Sequence, residues 1–252
     1  MLYLAHTAHR QFLGLMLGVL AWILIVATAG LNEWRLWHVS DKSIITSGVA
    51  WVGIWRTCFY SHVLSRIENC QSISISDPFA PAEIPVAQVL MVLAVLCGLA
   101  ANISATFAMR MVYFSVENRR HIRLFFLLTG TLYVFTALCS LVPLIWNMSS
   151  VLNNRTIDFP PEFHLPAAPI WQQVGTAIVV GIFASILIFI SGLFFLSYRY
   201  VWQTLSSEAP RDTRDPLHNP WTGTTLTQKS ELPNGSSQGR DNPAFHIEEE
   251  SH

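Results

Sequence analysis

The chain has 252 residues, of which 52% are hydrophobic and only 12% are charged. Soluble proteins contain about 25% charged residues, so this composition excludes an ordinary soluble domain and indicates a protein embedded in lipid. The formal net charge of -1 gives the chain no overall basic field, so a nucleic-acid partner is not expected.

Four uncharged segments are each long enough to cross, as a helix, a hydrocarbon core of about 30 Å. They contain no Asp, Glu, Lys, Arg or His, and a charge at the bilayer centre costs at least about 2.5 kcal/mol. The predicted transmembrane helices are residues 12–31, 84–109, 124–146 and 174–196. Cleavage after Ala27-Thr28-Ala29 would make the first a signal peptide, but its apolar run exceeds the usual length of about 7 to 15 residues, so an uncleaved helix is expected.

Orientation follows from the arginines in the connecting segments, because positive residues are retained on the cytoplasmic side of a membrane. Residues 110–123 contain four arginines, whereas residues 147–173 contain one. The N-terminus (1–11), the loop 110–123 and the tail 197–252 are therefore predicted to be cytoplasmic, and the loops 32–83 and 147–173 extracellular. The tail is rich in Pro, Ser, Thr and charged residues and lacks an apolar period, so it is predicted to be disordered.

The first extracellular loop is predicted to contain a small antiparallel sheet. Residues 34–38 alternate in character, residues 44–55 are rich in β-branched and aromatic side chains, and residues 72–76 alternate Ser with Ile. Asp77-Pro78 ends the last of these strands, because proline cannot donate a hydrogen bond to a ladder. An irregular loop is the alternative.

Two tryptophans of this loop have different positions relative to the membrane. Trp34 follows the first span by three residues, so it fits the aromatic belt that membrane proteins place at the lipid surface. Trp55 is far from either span and reaches the bilayer only if the loop folds back onto it. In that case Gly53 would permit the close backbone approach that such packing requires.

The cysteines divide between the loop and the spans. Cys58 and Cys70 face an oxidising exterior in this topology, so they are available for a disulfide within the chain or between chains. The internal bond is favoured, since closing a loop of this size is worth about 3 kcal/mol in the chain-entropy model. A metal site formed by Cys58 and His62 would lack its remaining ligands, so no metal or cofactor is expected. Cys97 and Cys139 lie within spans and are interpreted as small buried hydrophobic residues.

The second extracellular loop contains two sequons, which begin at Asn147 and Asn154. Both asparagines are candidate N-glycosylation sites. The same loop contains no cysteine, and this argues against a tetraspanin, whose large second loop needs several.

The order of residues in the first loop resembles the signature of the claudin family, which is Trp, Gly-Leu-Trp, Cys and Cys. The matching residues here are Trp34, Gly53, Ile54, Trp55, Cys58 and Cys70. Shorter matches lie in the first three spans, at residues 11–14, 21–22, 90–92 and 141–146. The resemblance extends over roughly residues 5–200.

This resemblance implies an all-α membrane protein, a left-handed bundle of four transmembrane helices that carries a small extracellular β-sheet pinned by Cys58 and Cys70. It implies a plasma-membrane protein of tight junctions that binds itself and other claudins, laterally and across cells. The polymerised strands would seal or regulate the paracellular space by calcium-independent adhesion. In the family, aromatic residues of the second loop help to make the contact between cells. Asp158-Phe159-Pro160 resembles that stretch, which makes Phe159 the candidate contact residue.

Two features depart from the family pattern. Gln88 stands where many claudins have an arginine near the start of the second span. The chain ends with residues 248–252, Glu-Glu-Glu-Ser-His, and lacks the apolar last residue that a PDZ groove takes, so binding to a PDZ scaffold is not expected. Charges of both signs are nearly balanced in the first loop, which favours a barrier over an ion-selective pore.

The sequence leaves one alternative class of function open. Related four-span proteins with the same loop signature are auxiliary or trafficking subunits of ion channels, or organise membranes, and this is the alternative function. An enzyme is not expected, because the spans offer only hydroxyls, thiols and amides, and no phosphate loop, carboxylate pair or metal cluster occurs elsewhere.

Overall fold

The computed structural model describes residues 2–40, 45–61, 68–114, 119–163, 165 and 168–207. Within these residues the elements in chain order are α1 (Leu2–Gly30), β1 (Arg35–His38), β2 (Ile45–Val52), β3 (Arg56–Ser61), β4 (Glu68–Ser72), α2 (Glu83–Phe114), α3 (Arg119–Leu152), a single 3-10 turn (Pro161–Phe163), β5 (Trp171–Val174) and α4 (Thr176–Ser207).

The four long helices form the bundle that the fold prediction required. Each contains a segment that is long and apolar enough to cross a membrane: His9–Gly30, Glu83–Tyr113, Ile122–Leu152 and Thr176–Tyr198. The helices continue into segments that were predicted as termini or loops. In particular, residues 197–207 were predicted to be disordered but are helical, and residues 193–207 contain no Gly or Pro that would end α4 earlier. Residues 208–252 of the predicted tail lie outside the described residues.

Neutral hydrogen bonds join every pair of neighbouring helices in the bundle. The bonds run from Trp22 to the Val95 carbonyl (2.9 Å), from Thr129 to Ser104 (2.8 Å), from Tyr133 to Asn102 (2.7 Å), between Ser140 and Ser185 (2.8 Å), and from Ser191 to the Gly14 carbonyl. Such bonds contribute only about 0.6 kcal/mol each on average between helices in a membrane. They therefore fix the register of the helices more than they drive the association.

The five strands form one antiparallel sheet in the order β4-β3-β2-β1-β5. The first loop supplies four strands, and β5 comes from the second loop, immediately before α4. Gly175 makes this last pairing sterically feasible, because a Cβ there would overlap the carbonyl oxygen of Glu33. The prediction of a small sheet is confirmed, but β3, β4 and β5 were not predicted.

The predicted strand at residues 72–76 is wrong. Strand β4 ends at Ser72, and a turn follows it. The backbone N–H of Ser74 donates to the carboxylate of Asp77 at 2.7 Å, so a side chain takes the place of a neighbouring strand. This local bond competes with a sheet ladder in the way that Asp side chains commonly do.

A second hydrophobic core lies between the sheet and the second loop. Its buried residues are Trp37, Val39, Ile45, Ala50, Val52, Phe59, Ile73, Ile84, Ile157, Phe159, Phe163 and Leu165. Phe159 contacts Trp37 edge to face, with 5.4 Å between ring centroids. The second loop therefore covers one face of the sheet, and the first loop does not fold as an independent unit.

Candidate functional site

The signature residues of the first loop lie where the sheet meets the bundle. Trp34 and Ile54 are fully buried and pack with the core of the four helices, not with the core beneath the sheet. Gly53 approaches Asn32 so closely that a Cβ would lie 2.9 Å from the Asn32 Cα atom. The turn that contains Gly53 is therefore packed closely against the end of α1.

Two indole rings complete the hydrogen bonding of the end of α1. The last carbonyl groups of a helix have no donor within the helix. The indole N–H of Trp34 donates to the Thr28 carbonyl at 3.1 Å, and that of Trp55 donates to the Ala29 carbonyl at 2.9 Å. Tryptophan combines an apolar ring with a single donor, so it can pack against the bundle and cap the helix at once.

A buried ion pair forms the second connection between sheet and bundle. The guanidinium of Arg35, in β1, lies 3.2 Å from the carboxylate of Glu83 at the start of α2, and the two side chains are only 1% and 3% exposed. Arg35 also donates to the Asn147 side-chain oxygen at 2.7 Å, and Ser150 donates to Glu83 at 2.6 Å. Burial lowers the pKa of Arg35, while the charge and hydrogen bond of Glu83 oppose that change. The cluster joins β1, α2 and α3.

The position of Asn147 corrects one of the two predicted glycosylation sites. Its amide nitrogen donates to the backbone carbonyls of Glu83 (3.2 Å) and Pro143 (3.0 Å), and the residue is 1% exposed. A glycan would replace one of the two hydrogens on this nitrogen and so remove at least one of these bonds, and the buried position leaves no space for it. Asn154 is exposed, with φ of 50°, so its glycosylation stays a prediction.

Gln88 forms a third connection, from α2 to the loop. Its amide nitrogen donates to the carbonyl oxygens of Ile54 (2.6 Å) and Ile73 (3.0 Å), and the side chain is fully buried. Because the amide of Gln88 is neutral, it donates hydrogen bonds to both carbonyl oxygens without requiring a buried residue of opposite charge. The sequence had marked Gln88 only as a departure from the family pattern, and its role depends on contacts that the sequence does not reveal.

The predicted disulfide is confirmed. Cys58 and Cys70 lie directly opposite each other in β3 and β4 and are bonded within the chain. The two sulfur atoms and the carboxylate of Glu68 lie close together, but disulfide sulfurs are not thiolates and do not form a metal site. His62, the other ligand of the metal alternative, lies outside the described residues.

The structure corrects the contact role predicted for Phe159. Its ring is only 9% exposed and fills the core beneath the sheet, so it is not available to another molecule. Exposed apolar side chains of the second loop lie instead at the end of α3, where Leu152 is 67% exposed, and at the start of β5. Ile170 is 64% exposed, and Trp171 is half-exposed and stacks on His38 with 3.7 Å between ring centroids.

Similarity to known proteins extends over most of the chain. The family model described as PMP-22/EMP/MP20/Claudin tight junction matches residues 19–197, more than half of the sequence. Claudin-5 of Mus musculus is 28% identical over 192 residues, which are 74% of this chain and 81% of the relative. Claudin-17 of Sus scrofa is 27% identical over 184 residues (72% and 77%), and claudin-1 of Mus musculus is 25% identical over 211 residues (83% and 94%).

Replacing Arg35 by Met is expected to lower the free energy of unfolding by about 3 to 5 kcal/mol, because Glu83 would keep a buried charge without a partner. Thermal unfolding of the purified protein in detergent measures the loss. Arg56→Met is the control, since Arg56 is exposed. The double variant Arg35→Met/Glu83→Leu should recover part of the loss. If Arg35→Met and Arg56→Met lower the free energy of unfolding equally, the ion pair is not structurally important.

Replacing Trp55 by Phe is expected to destabilise the protein by about 1 to 2 kcal/mol, because the Ala29 carbonyl loses its donor while the aromatic packing is largely kept. Hydrogen exchange should increase at the end of α1, as measured by mass spectrometry. Trp51→Phe is the matched control: Trp51 stacks edge to face on Tyr60, a contact that a phenyl ring preserves. If hydrogen exchange at the end of α1 increases equally in Trp55→Phe and Trp51→Phe, the capping role is refuted.

Proposed function

The chain belongs to the claudin family, and from this premise we propose that it is a structural protein of tight junctions that polymerises into strands and adheres to neighbouring cells without calcium. Its partners would be further copies of itself and other claudins, laterally and across cells, within the lipid of the plasma membrane. The function is structural, not enzymatic. The observation that carries the proposal is the sheet, which three separate connections hold on the end of a four-helix bundle.

In the proposed orientation, both termini are cytoplasmic and the sheet is extracellular. The four arginines of residues 110–123 support this, because they lie at the end of the bundle opposite the sheet. The Cys58–Cys70 bond supports it as well, since disulfides persist in oxidising compartments.

Adhesion requires exposed apolar groups on the extracellular part, and we assign this role to Ile170 and Ile75 in place of Phe159. Ile170 is 64% exposed beside the edge strand β5, and Ile75 is 56% exposed in the turn after β4. The two residues flank opposite edges of the sheet. This arrangement suits lateral neighbours on both sides of one molecule.

A barrier role is proposed over an ion-selective pore. Arg35 and Glu83 neutralise each other inside the protein, so neither contributes net charge to the extracellular surface. The remaining charged residues of the first loop are three basic and four acidic: Lys42, Arg56, Arg66, Glu33, Asp41, Glu68 and Asp77. Nearly balanced charges, each screened over about 8 Å at physiological salt, produce no strong preference for cations or anions.

The orientation is tested by labelling thiols on intact cells with a membrane-impermeant maleimide. Labelling is expected only after treatment with a reductant, because Cys58 and Cys70 are oxidised and extracellular while Cys97 and Cys139 lie in the bundle. The variant Cys58→Ser/Cys70→Ser should lose the reductant-dependent signal. Labelling that needs permeabilised cells would place the sheet inside the cell and overturn the proposed topology.

Strand formation is tested by freeze-fracture of claudin-free cells that express this chain alone. Continuous intramembrane strands are expected at cell contacts, and cell aggregates should persist in calcium-free medium. Ile170→Ser should reduce aggregation at equal surface expression, whereas Glu162→Gln, an exposed change in the same loop, should not. Diffuse single particles would contradict polymerisation and favour the auxiliary-subunit alternative.

A further inference from the structure

The end of the bundle opposite the sheet contains a cavity between the first turns of α3 and the last turns of α4. Its volume is about 210 Å³. Its lining includes Arg123, Leu124, Phe126, Leu127, Phe195 and Tyr198. We call this cavity the α3/α4 groove.

The walls of the groove are apolar and well ordered by aromatic contacts. Phe126 stacks on Tyr198 with 4.3 Å between ring centroids and packs against Phe195 at 5.7 Å. Leu124 and Leu127 are 55% and 38% exposed, so the groove opens on the side of the bundle that faces lipid. An apolar chain lying in the groove would remain continuous with the hydrocarbon of the bilayer.

One positively charged residue, Arg123, lines this apolar groove. Arg123 is exposed and has no hydrogen bond or ion pair within the part of the chain that the structure describes. It is the second residue of the apolar segment Ile122–Leu152, and Tyr198 is the last residue of the segment Thr176–Tyr198. Both residues therefore lie at the ends of their apolar segments, on the side of the bundle opposite the sheet.

The sequence segments next to this end of the bundle are basic. Residues 1–11, 110–123 and 197–207 together contain six arginines and one acidic residue. Clusters of arginine next to a transmembrane helix attract anionic lipid headgroups. An occupant of the groove should therefore carry negative charge at the membrane surface.

The size of the groove indicates an occupant that is only partly enclosed. Pockets that bury a whole small-molecule ligand measure about 300 to 1,000 Å³, which exceeds the volume found here. A lipid satisfies this condition, because one part of an acyl chain can lie in the groove while the remainder stays in the bilayer.

We propose that the α3/α4 groove binds an anionic phospholipid. The net negative charge of its headgroup lies next to Arg123, and an acyl chain lies along Leu124, Leu127 and the Phe126–Tyr198 stack. The assignment to the cytoplasmic leaflet rests on the proposed orientation, but binding itself does not. A bound lipid would bridge α3 and α4 at the end of the bundle that lacks the sheet.

The charged part of the site is tested by native mass spectrometry of the purified full-length chain with equimolar phosphatidylserine and phosphatidylcholine. Phosphatidylserine should be retained preferentially, and Arg123→Gln should lower that preference about fivefold. Arg110→Gln is the control, because Arg110 is exposed at the same end of the bundle but does not line the groove. Equal effects of the two variants, or no preference for the anionic lipid, would overturn the proposal.

The apolar part is tested with a neighbouring pair of leucines. Leu127→Trp fills the groove and should reduce retention of phosphatidylserine, whereas Leu128→Trp should not, since Leu128 is 48% exposed but does not line it. Soluble glycerophosphoserine, which has the headgroup without acyl chains, should compete poorly. Efficient competition would mean that a phosphate site, and not a lipid groove, binds the ligand. Neither result depends on strand formation, so failure here leaves the proposed function intact.

Discussion

The buried pair of Arg35 and Glu83 is the constraint on which the extracellular half of the structure depends. Removing two charges from water costs several kcal/mol for each ion, and the pair persists only because hydrogen bonds from Ser150 and to Asn147 complete its surroundings. Only one arrangement of β1, α2 and α3 satisfies all four groups. Because β1 pairs with both β2 and β5, holding this strand fixes the whole sheet relative to the bundle. We infer that the ion pair contributes more to selecting one arrangement of β1, α2 and α3 than to the free energy of unfolding.

The signature residues have a related task, which is to satisfy backbone groups where a helix leaves the membrane. Unpaired carbonyls near hydrocarbon are costly because little water is present to bind them. Trp34 and Trp55 supply donors to the end of α1, and Gln88 supplies them to the loop. Gly53 is required because a Cβ there would lie only 2.9 Å from the Asn32 Cα atom and 3.1 Å from the Arg56 carbonyl oxygen. The motif is thus a single joint whose members act together.

Hydropathy was sufficient to predict the helices, since a membrane-spanning helix depends mainly on its own composition. The disulfide was also predictable, because topology left its two cysteines few partners. The fifth strand was not, since Trp171–Val174 has no strand pattern and forms only on the edge that β1 offers. Asn147 and Phe159 were misassigned for the same reason. Their burial is set by Arg35 and Trp37, more than 100 positions away in the sequence.

The arginines at the two ends of the bundle therefore have opposite surroundings. At the sheet, Arg35 is buried and its field is neutralised by Glu83, so the joint is insensitive to salt and to the lipid around it. At the other end, Arg123 is exposed beside an apolar groove, so its electrostatic energy depends on the lipid headgroups that it meets. A rigid extracellular joint suits a surface that must match its neighbours. A lipid bound at the proposed site would bridge α3 and α4, so lipid composition would influence how these two helices pack.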